Sequence, residues 1–182
     1  MTDQNPTTTG QGNCLPWLWL SLLVVIVDLS SKYIANNALN YGEPNPLLPM
    51  FDLTLLYNKG AAFSFLAEAG GWQRWVFAVI AVAVSGMLVV WLRRTPRAQW
   101  WLGLGLSMVL GGALGNLYDR VVLGYVIDFI SLHYAGYYFP AFNLADTAIT
   151  IGAGLLIIDM LFLSEEDEKS ENGQPSDKDS KV

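Results

Sequence analysis

The sequence predicts an all-α membrane protein, a four-transmembrane-helix bundle with a small extracytoplasmic β platform between helices 1 and 2. The first observation is composition: 53% of the 182 residues are hydrophobic and only 14% are charged, against about 25% charge in a typical soluble domain. The second is the set of seven tryptophans, which all lie at or near the ends of long apolar runs. Such an aromatic belt is typical of helices that cross a bilayer.

Four apolar runs are long enough to span a hydrocarbon core, which takes roughly 20 residues. Interior polar residues of the first run, Asp28 and Lys32, and the absence of a small-residue cleavage site after it indicate a retained helix rather than a signal peptide. The predicted spans are 15–34, 75–92, 100–122 and 141–163.

The orientation follows from the arginines between the second and third spans. Arg93, Arg94 and Arg97 lie in one short loop, and short loops rich in Lys and Arg stay in the cytoplasm. Both termini are then cytoplasmic, and segments 36–72 and 123–140 face the outside.

The chain divides into a short N-terminal cytoplasmic segment (1–14), the membrane domain (15–163) and an acidic tail (164–182). The tail holds seven of the sixteen acidic residues and almost nothing apolar, which predicts a disordered, solvated segment. The net charge of −6 therefore describes mainly the tail. Within the membrane domain, turn formers followed by β-favouring residues over about 36–72 predict the platform, with a hairpin broken at 58–60.

Several classes of site are excluded by residue content. With a single cysteine, Cys14, and a single histidine, His133, the chain cannot build an internal disulfide or a Cys/His zinc site. His133 lies in a predicted aromatic loop without a nucleophile motif. There is no Gly-rich phosphate loop and no basic stripe for nucleic acid. We therefore expect no metal, no cofactor and no nucleic-acid partner.

Ionisable residues in or beside membrane spans are costly and point to function by default. In the predicted topology most of them gather near the outer interface. Asp28 and Lys32 are four apart on one helical face and can pair. The others follow on the last two spans and the loop between them: Asn116, Asp119, Arg120, Asp128, Asn143 and Asp146.

The residues alone leave open whether these polar side chains have a structural or a catalytic role. Asp28 with Lys32, and Asp119 with its neighbour Arg120, can be ion pairs that only hold helices together. Asp128 and Asp146 have no basic neighbour in sequence, and two such carboxylates brought together would share a proton. That pair is the chemistry of an aspartic protease. The competing reading is a proton or ion relay in a small transporter.

Small residues four apart predict close helix contacts on the last two spans. Gly111 with Gly115, and Ala148 with Gly152, can let the third and fourth spans approach and bring the aspartates together. The alternative, which is favoured for any single glycine, is ordinary helix packing.

Four blocks, in this order on a four-span topology, resemble one family closely, the lipoprotein signal peptidases or signal peptidase II. The resemblance covers about 15–163. The blocks are DLSSK at 28–32, YNKGAAFSF at 57–65, GGALGNLYDRVVLGYVIDF at 111–129 and FNLADTAI at 142–149.

The resemblance implies an aspartyl endopeptidase that cleaves diacylglyceryl-modified prolipoproteins before the lipidated cysteine, without a metal. The family's dyad maps onto Asp128 and Asp146. Asp119 is the rival of Asp128, but Arg120 gives it an obvious partner, so we assign it a structural role. Substrate positioning or dyad support is implied for Asn58, Gly60, Asn116, Arg120, Asn143, Asp28 and Lys32.

The implied setting is the bacterial cytoplasmic (inner) membrane, with the active site near the outer face. The expected partners are the prolipoprotein substrate and membrane lipids, and a monomer is expected to suffice. The alternatives are a small proton-coupled transporter, which the clustering of polar residues at one interface disfavours, and a non-catalytic lipid-binding scaffold.

Overall fold

The computed structural model of the protein describes residues 12–60 and 71–163. The predicted tail (164–182), most of the N-terminal segment and the AAFSF half of the second sequence block lie outside the described residues. Within the described part, four helices are long and apolar enough to cross a membrane. Their α-helical parts are α1 (Leu18–Ala38), α2 (Gln73–Arg94), α3 (Trp100–Val122) and α4 (Leu144–Ile158), and the fourth span reaches Leu161.

The helix bounds follow the predicted spans, with differences at the ends. A 3₁₀ turn at Leu15–Trp17 with Pro16 in its first positions precedes α1, because proline lacks the N–H that a helix interior needs. The fourth span starts three residues later than predicted, because Asn143 is the N-cap of α4. At its other end α4 continues as a π-helical segment, Asp159–Leu163.

Helix α3 lies at the centre of the bundle and packs against α1, α2 and α4. Half of its most apolar stretch is buried, whereas the corresponding stretches of the other three described helices are at most 22% buried. Glycines permit this central position because they let neighbouring backbones approach closely.

The glycine contacts differ in part from the prediction. Gly111 faces α1, where a Cβ would stand 2.8 Å from the Ser21 carbonyl oxygen. The close approach of α3 to α4 instead occurs at Gly105, Gly112 and Gly152. A Cβ on Gly152 would lie 2.7 Å from the Gly105 carbonyl oxygen. Gly152 therefore lies at the α3–α4 contact, whereas Gly111 serves ordinary helix packing, against α1.

A four-stranded antiparallel sheet, β1-β2-β3-β4 in order, caps one end of the described bundle. Its strands are β1 (Asn45–Leu48), β2 (Phe51–Asn58), β3 (Val126–Tyr134) and β4 (Tyr137–Tyr138). The platform was predicted from segment 36–72 alone, but half of its strands come from the segment between α3 and α4. The hairpin in the described residues joins β1 to β2, before the predicted break at 58–60.

His133 lies on β3 rather than in a loop. Its Nε2 is 3.2 Å from Oδ2 of the buried Asp52 on β2, and its backbone N–H donates to the Met50 carbonyl. The residue therefore belongs to the sheet, where its side chain contacts β2 and its backbone contacts the turn before β2.

The opposite end of the bundle is closed by the start of the described chain. The Cys14 N–H donates to the Thr95 carbonyl at 3.1 Å, and the Cys14 thiol lies in an apolar cluster with Leu88, Leu92 and Leu106. This contact puts the beginning of α1 beside the arginine-bearing α2–α3 loop and far from the sheet.

Candidate active site

Every site residue predicted from the sequence lies at the end of the bundle beneath the sheet. They come from five elements: α1, the end of β2 with the residues after it, β3, α3 and α4. The bundle therefore brings together residues that are up to 118 positions apart in the chain, since Asp28 and Asp146 share one polar cluster.

Asp128 is held on β3 by two amide side chains. It lies opposite Leu56 of β2, and its side chain is buried. The Asn143 Nδ2 donates to its Oδ1 at 2.8 Å, and the Asn58 Nδ2 donates to its Oδ2 at 3.1 Å. Both amides donate to the carboxylate, so these two hydrogen bonds favour its ionised form and lower the pKa of Asp128.

Asp146 is the third residue of α4 and closes a capping box. The Asp146 N–H donates to the Asn143 Oδ1 at 2.9 Å, and the Asn143 N–H donates back to the Asp146 Oδ2 at 3.3 Å. Its other oxygen, Oδ1, accepts from the Asn116 Nδ2 at 2.7 Å. A helix N-terminus favours negative charge, so this position suits an ionised carboxylate.

The two carboxylates are joined through asparagines. The Asn143 Nδ2 that reaches Asp128 is also 3.2 Å from the Asn116 Oδ1, and Asn116 in turn holds Asp146. Burial, and secondly the charge of Asp146, raise the pKa of Asp128 from its usual 3.8 to about 7. At neutral pH a substantial fraction of Asp128 therefore carries a proton beside the Asp146 carboxylate.

Lys32 is the buried cation of the cluster and uses all three of its donors. Its Nζ lies 2.8 Å from the Asp28 Oδ2, 2.9 Å from the Asp119 Oδ2 and 2.9 Å from the Asn116 Oδ1. The predicted Asp28–Lys32 pair is present. The partner predicted for Asp119 was wrong: it pairs with Lys32 rather than with the adjacent Arg120, because consecutive helical residues point in different directions.

The remaining oxygens of this ion cluster bind backbone amides of neighbouring elements. The Asp28 Oδ1 accepts from the Ala145 N–H at 2.8 Å, and the Asp119 Oδ2 accepts from the Ile127 N–H at 3.2 Å. Asp28 thus satisfies a free amide in the first turn of α4, and Asp119 ties β3 to α3. Asp119 thus fixes the backbone of Ile127, next to Asp128, and Asp28 fixes the backbone of Ala145, next to Asp146.

Arg120 points away from Asp119. Its guanidinium donates to the Asn116 carbonyl at 3.2 Å and lies 5.4 Å from the centre of the Phe77 ring. Gly60 donates its N–H to the Asn58 Oδ1 at 3.0 Å, which turns the Asn58 amide nitrogen toward Asp128. Gly60 therefore acts on the site through Asn58.

A cavity of about 1250 Å³ opens beside the carboxylates. Asp128, Asp146, Asn116 and Arg120 lie on its wall, while Asp28, Lys32 and Asp119 lie behind it. No sequence motif pointed to the other side of this cavity. It includes Thr147, Thr150 and Ile151 of α4 and the run Tyr138–Phe142. In the sequence this run resembles an ordinary aromatic segment at a membrane interface.

The described residues contain no group of three or more His, Cys, Asp or Glu side chains arranged to hold a metal ion.

The fold and this pocket define a class: a multi-pass membrane protein with two carboxylates on the wall of a cavity at one end of its helices. The model of one family, described as signal peptidase (SPase) II, matches residues 20–162. The chain belongs to this family and is a peptidase.

Curated proteins of other bacteria are similar in sequence to this chain over most of its length. A protein of Pseudomonas syringae pv. tomato named lipoprotein signal peptidase is 57% identical over 162 residues, which cover 88% of this chain and 93% of the relative. A protein of the same name from Acinetobacter baumannii is 51% identical over 156 residues, covering 86% of this chain and 89% of the relative. The similarity thus extends over most of the chain and most of each relative.

Two solved structures share the fold. A bacterial membrane enzyme determined by the in meso method at 2.3 Å resolution superposes with a TM-score of 0.73 at 30% identity, covering 92% of this chain and 94% of that chain. Another, at 1.9 Å resolution, has a TM-score of 0.71 at 32% identity and covers 81% of this chain and 93% of that chain. The architecture described above is therefore that of known bacterial membrane enzymes.

Proposed function

We propose that the protein is an aspartyl endopeptidase that removes the signal peptide from diacylglyceryl-modified bacterial prolipoproteins, cleaving before the lipidated cysteine. The family and the names of the relatives support the lipoprotein substrate. The observation that carries the catalytic type is the pair Asp128 and Asp146 on one cavity wall, linked by Asn143 and Asn116.

In the proposed reaction Asp146 is the base and Asp128 the acid. Asp146 takes a proton from a water that attacks the scissile carbonyl, while Asp128 gives its proton to the carbonyl oxygen. The resulting diol collapses as Asp146 protonates the leaving amine nitrogen, and a hydroxyl proton returns to Asp128. The pair thus ends the cycle in its starting protonation state.

The neighbouring residues receive roles that follow from their contacts. Asn58 and Asn143 hold Asp128, and Asn116 holds Asp146. Gly60 orients Asn58. Arg120, on the cavity wall, is available to bind backbone carbonyls of the substrate. Asp28 and Lys32, with Asp119 in a structural role, keep α1, α3, β3 and the start of α4 in register behind the cavity.

The setting is proposed together with the reaction. The chain lies in the cytoplasmic (inner) membrane with both termini in the cytoplasm, acts as a monomer, and comprises segment 1–14, the peptidase domain 15–163 and the acidic tail 164–182. The cavity then faces the outer leaflet interface, where a substrate peptide can leave the helical conformation and find hydrogen-bond partners.

The test is cleavage of a purified, diacylglyceryl-modified prolipoprotein by the purified chain in lipid. We expect Asp128→Asn and Asp146→Asn each to lower the cleavage rate by at least about 100-fold, since each removes one partner of acid–base catalysis. Asp52→Asn is the matched control, because Asp52 is also a buried sheet-end carboxylate but contacts His133 rather than the cavity.

Thermal unfolding in the same lipid shows whether each variant is folded. Full activity in both Asp128→Asn and Asp146→Asn would overturn the dyad assignment. A folded wild type that leaves the modified prolipoprotein intact would instead favour the scaffold reading.

A further inference from the structure

A separate cavity lies between α2 and α3 at the end of the bundle away from the carboxylates. Its volume is about 450 Å³, within the range of about 300–1,000 Å³ that is usual for small-molecule sites. The part of its lining that matters here is Met87, Val90, Trp91, Arg94, Thr95 and Leu102. We call this cavity the α2–α3 groove.

The groove is far from the site already described. Its residues lie at the end of α2 and the start of α3, whereas Asn116 lies near the other end of α3. Gln99 also lines the groove, and it precedes Asn116 by 17 residues, which correspond to about 25 Å along a helix. The groove therefore opens toward the opposite leaflet from the carboxylate cavity.

One wall of the groove is apolar and faces the surrounding lipid. Met87 is 56% exposed and Val90 is 48% exposed, and Leu102 forms the facing side. The side chains on this wall offer no hydrogen-bond donor, and the Met87 thioether is only a weak acceptor. Such a wall is suited to pack against the acyl chain of a lipid.

The rim of the groove is polar and positively charged. Arg94 is exposed and makes no ion pair with any residue in 12–60 or 71–163. The Thr95 hydroxyl is already bound to the Trp91 carbonyl at 2.9 Å, and the Gln99 amide in the lining is neutral, so Arg94 is the cationic group of the lining that can bind an anion. Arginine matches phosphate geometry with two parallel hydrogen bonds, and Trp91 marks the depth of the headgroup interface.

We propose that the α2–α3 groove binds one anionic phospholipid, with an acyl chain along Met87, Val90 and Leu102 and the phosphate on Arg94. Basic pockets between transmembrane helices recognise acidic lipid headgroups in this way. With the orientation proposed above, the lipid belongs to the cytoplasmic leaflet. The proposal is independent of the peptidase reaction, because its residues do not reach the carboxylate cavity.

The adjacent Arg93 provides a matched control. It is exposed on the same turn but does not line the groove. General attraction of anionic lipid to a basic helix end would depend on both arginines equally. A built site depends on Arg94 alone.

The experiment is native mass spectrometry of the delipidated full-length chain, titrated with phosphatidylglycerol or phosphatidylethanolamine of identical acyl chains. We expect the first phosphatidylglycerol to bind about fivefold more tightly than phosphatidylethanolamine, as one arginine near a membrane surface provides. Arg94→Gln should remove this preference, Arg94→Lys should retain part of it, and Arg93→Gln should leave it unchanged.

A groove-filling variant tests the apolar wall independently of charge. Val90→Trp adds bulk on an exposed face, so it should fold, and it should weaken the first binding event for both lipids. Equal losses in Arg93→Gln and Arg94→Gln, equal binding of the two lipids to wild type, or unchanged binding to Val90→Trp would each overturn the proposal. Thermal unfolding without added lipid checks that each variant is folded.

Discussion

At the scale of single residues, the polar end of the bundle is built from amide side chains placed between carboxylates. Asn143 contacts both Asp128 and Asp146, and Asn116 contacts Asp146 and Lys32. An amide carries no charge, so it can hold a carboxylate in place without the strong stabilisation of the ionised form that a buried cation would give. The protonation state of Asp128 is therefore set by burial and the Asp146 charge, which raise its pKa, against the two amide donors, which lower it.

The pH dependence of cleavage is the first prediction at this scale. The pKa of Asp128 is raised to about 7, and the proposed reaction needs Asp128 protonated. We therefore expect kcat/KM to fall as pH rises through about 7, by about tenfold per pH unit well above it. The measurement is the rate of prolipoprotein cleavage from pH 6 to 9.

Substitution of Asn58 tests the direction in which the pH profile of cleavage shifts. Its hydrogen bond lowers the pKa of Asp128, because it favours the ionised carboxylate. Asn58→Ala should thus move the falling limb of the profile to higher pH, whatever its effect on the maximum rate. A flat profile, or a limb that moves to lower pH, would contradict the proposed role of Asp128 as the acid.

At the scale of secondary-structure elements, the N-terminus of α4 is the point where the site is assembled. Three of its backbone amides are bound by groups at the site: Ala145 by Asp28, Asp146 by the Asn143 side chain, and Thr147 by the Asn143 carbonyl. Because these bonds fix the helix start, they also fix Asp146. The body of α4 is placed by its close contact with α3.

The contact between α3 and α4 predicts different outcomes for two glycines of α4. A Cβ at Gly152 would meet the Gly105 carbonyl oxygen at 2.7 Å, whereas a Cβ at Gly154 would meet nothing within 4 Å. We expect Gly152→Ala to destabilise the protein by about 1–3 kcal/mol through overpacking. Gly154→Ala should be neutral or stabilise by up to about 1 kcal/mol, because alanine favours the helix.

The measurement is unfolding of both variants in the same detergent, with cleavage measured alongside. Equal stability of the two variants would mean that the helices separate readily at Gly152 and that this packing does not set the position of α4.

At the scale of the whole molecule, the two ends of the bundle differ in architecture and charge. The sheet and the polar cavity occupy one end, and the arginine-bearing α2–α3 loop with the start of the chain occupies the other. The proposed orientation requires these ends to lie on opposite sides of the membrane, because short arginine-rich loops stay in the cytoplasm.

Cysteine labelling in intact cells tests this orientation. In a Cys14→Ser background, Tyr137→Cys places a thiol on an exposed sheet residue and Ala98→Cys places one on the exposed loop between α2 and α3. A membrane-impermeant maleimide should label Tyr137→Cys in intact cells and Ala98→Cys only after lysis. Labelling in the reverse pattern would invert the proposed topology and put the cavity on the cytoplasmic side.

The sequence by itself determined the class of fold, the four spans and the family. These properties depend on local quantities: the length of an apolar run, the residues at its ends, and short blocks of polar residues in order. Even the Asp28–Lys32 pair could be predicted, because residues four apart share one face of any helix.

Only the tertiary structure decided which distant groups meet. Asp119 reaches Lys32, 87 positions away, instead of its neighbour Arg120. The sheet combines β2 with β3 from a separate segment, and Gly105 rather than Gly111 faces α4. Such contacts depend on the rotation and register of elements packed against each other. No local sequence pattern encodes that rotation or register. The helices themselves, in contrast, form from local hydrogen bonds.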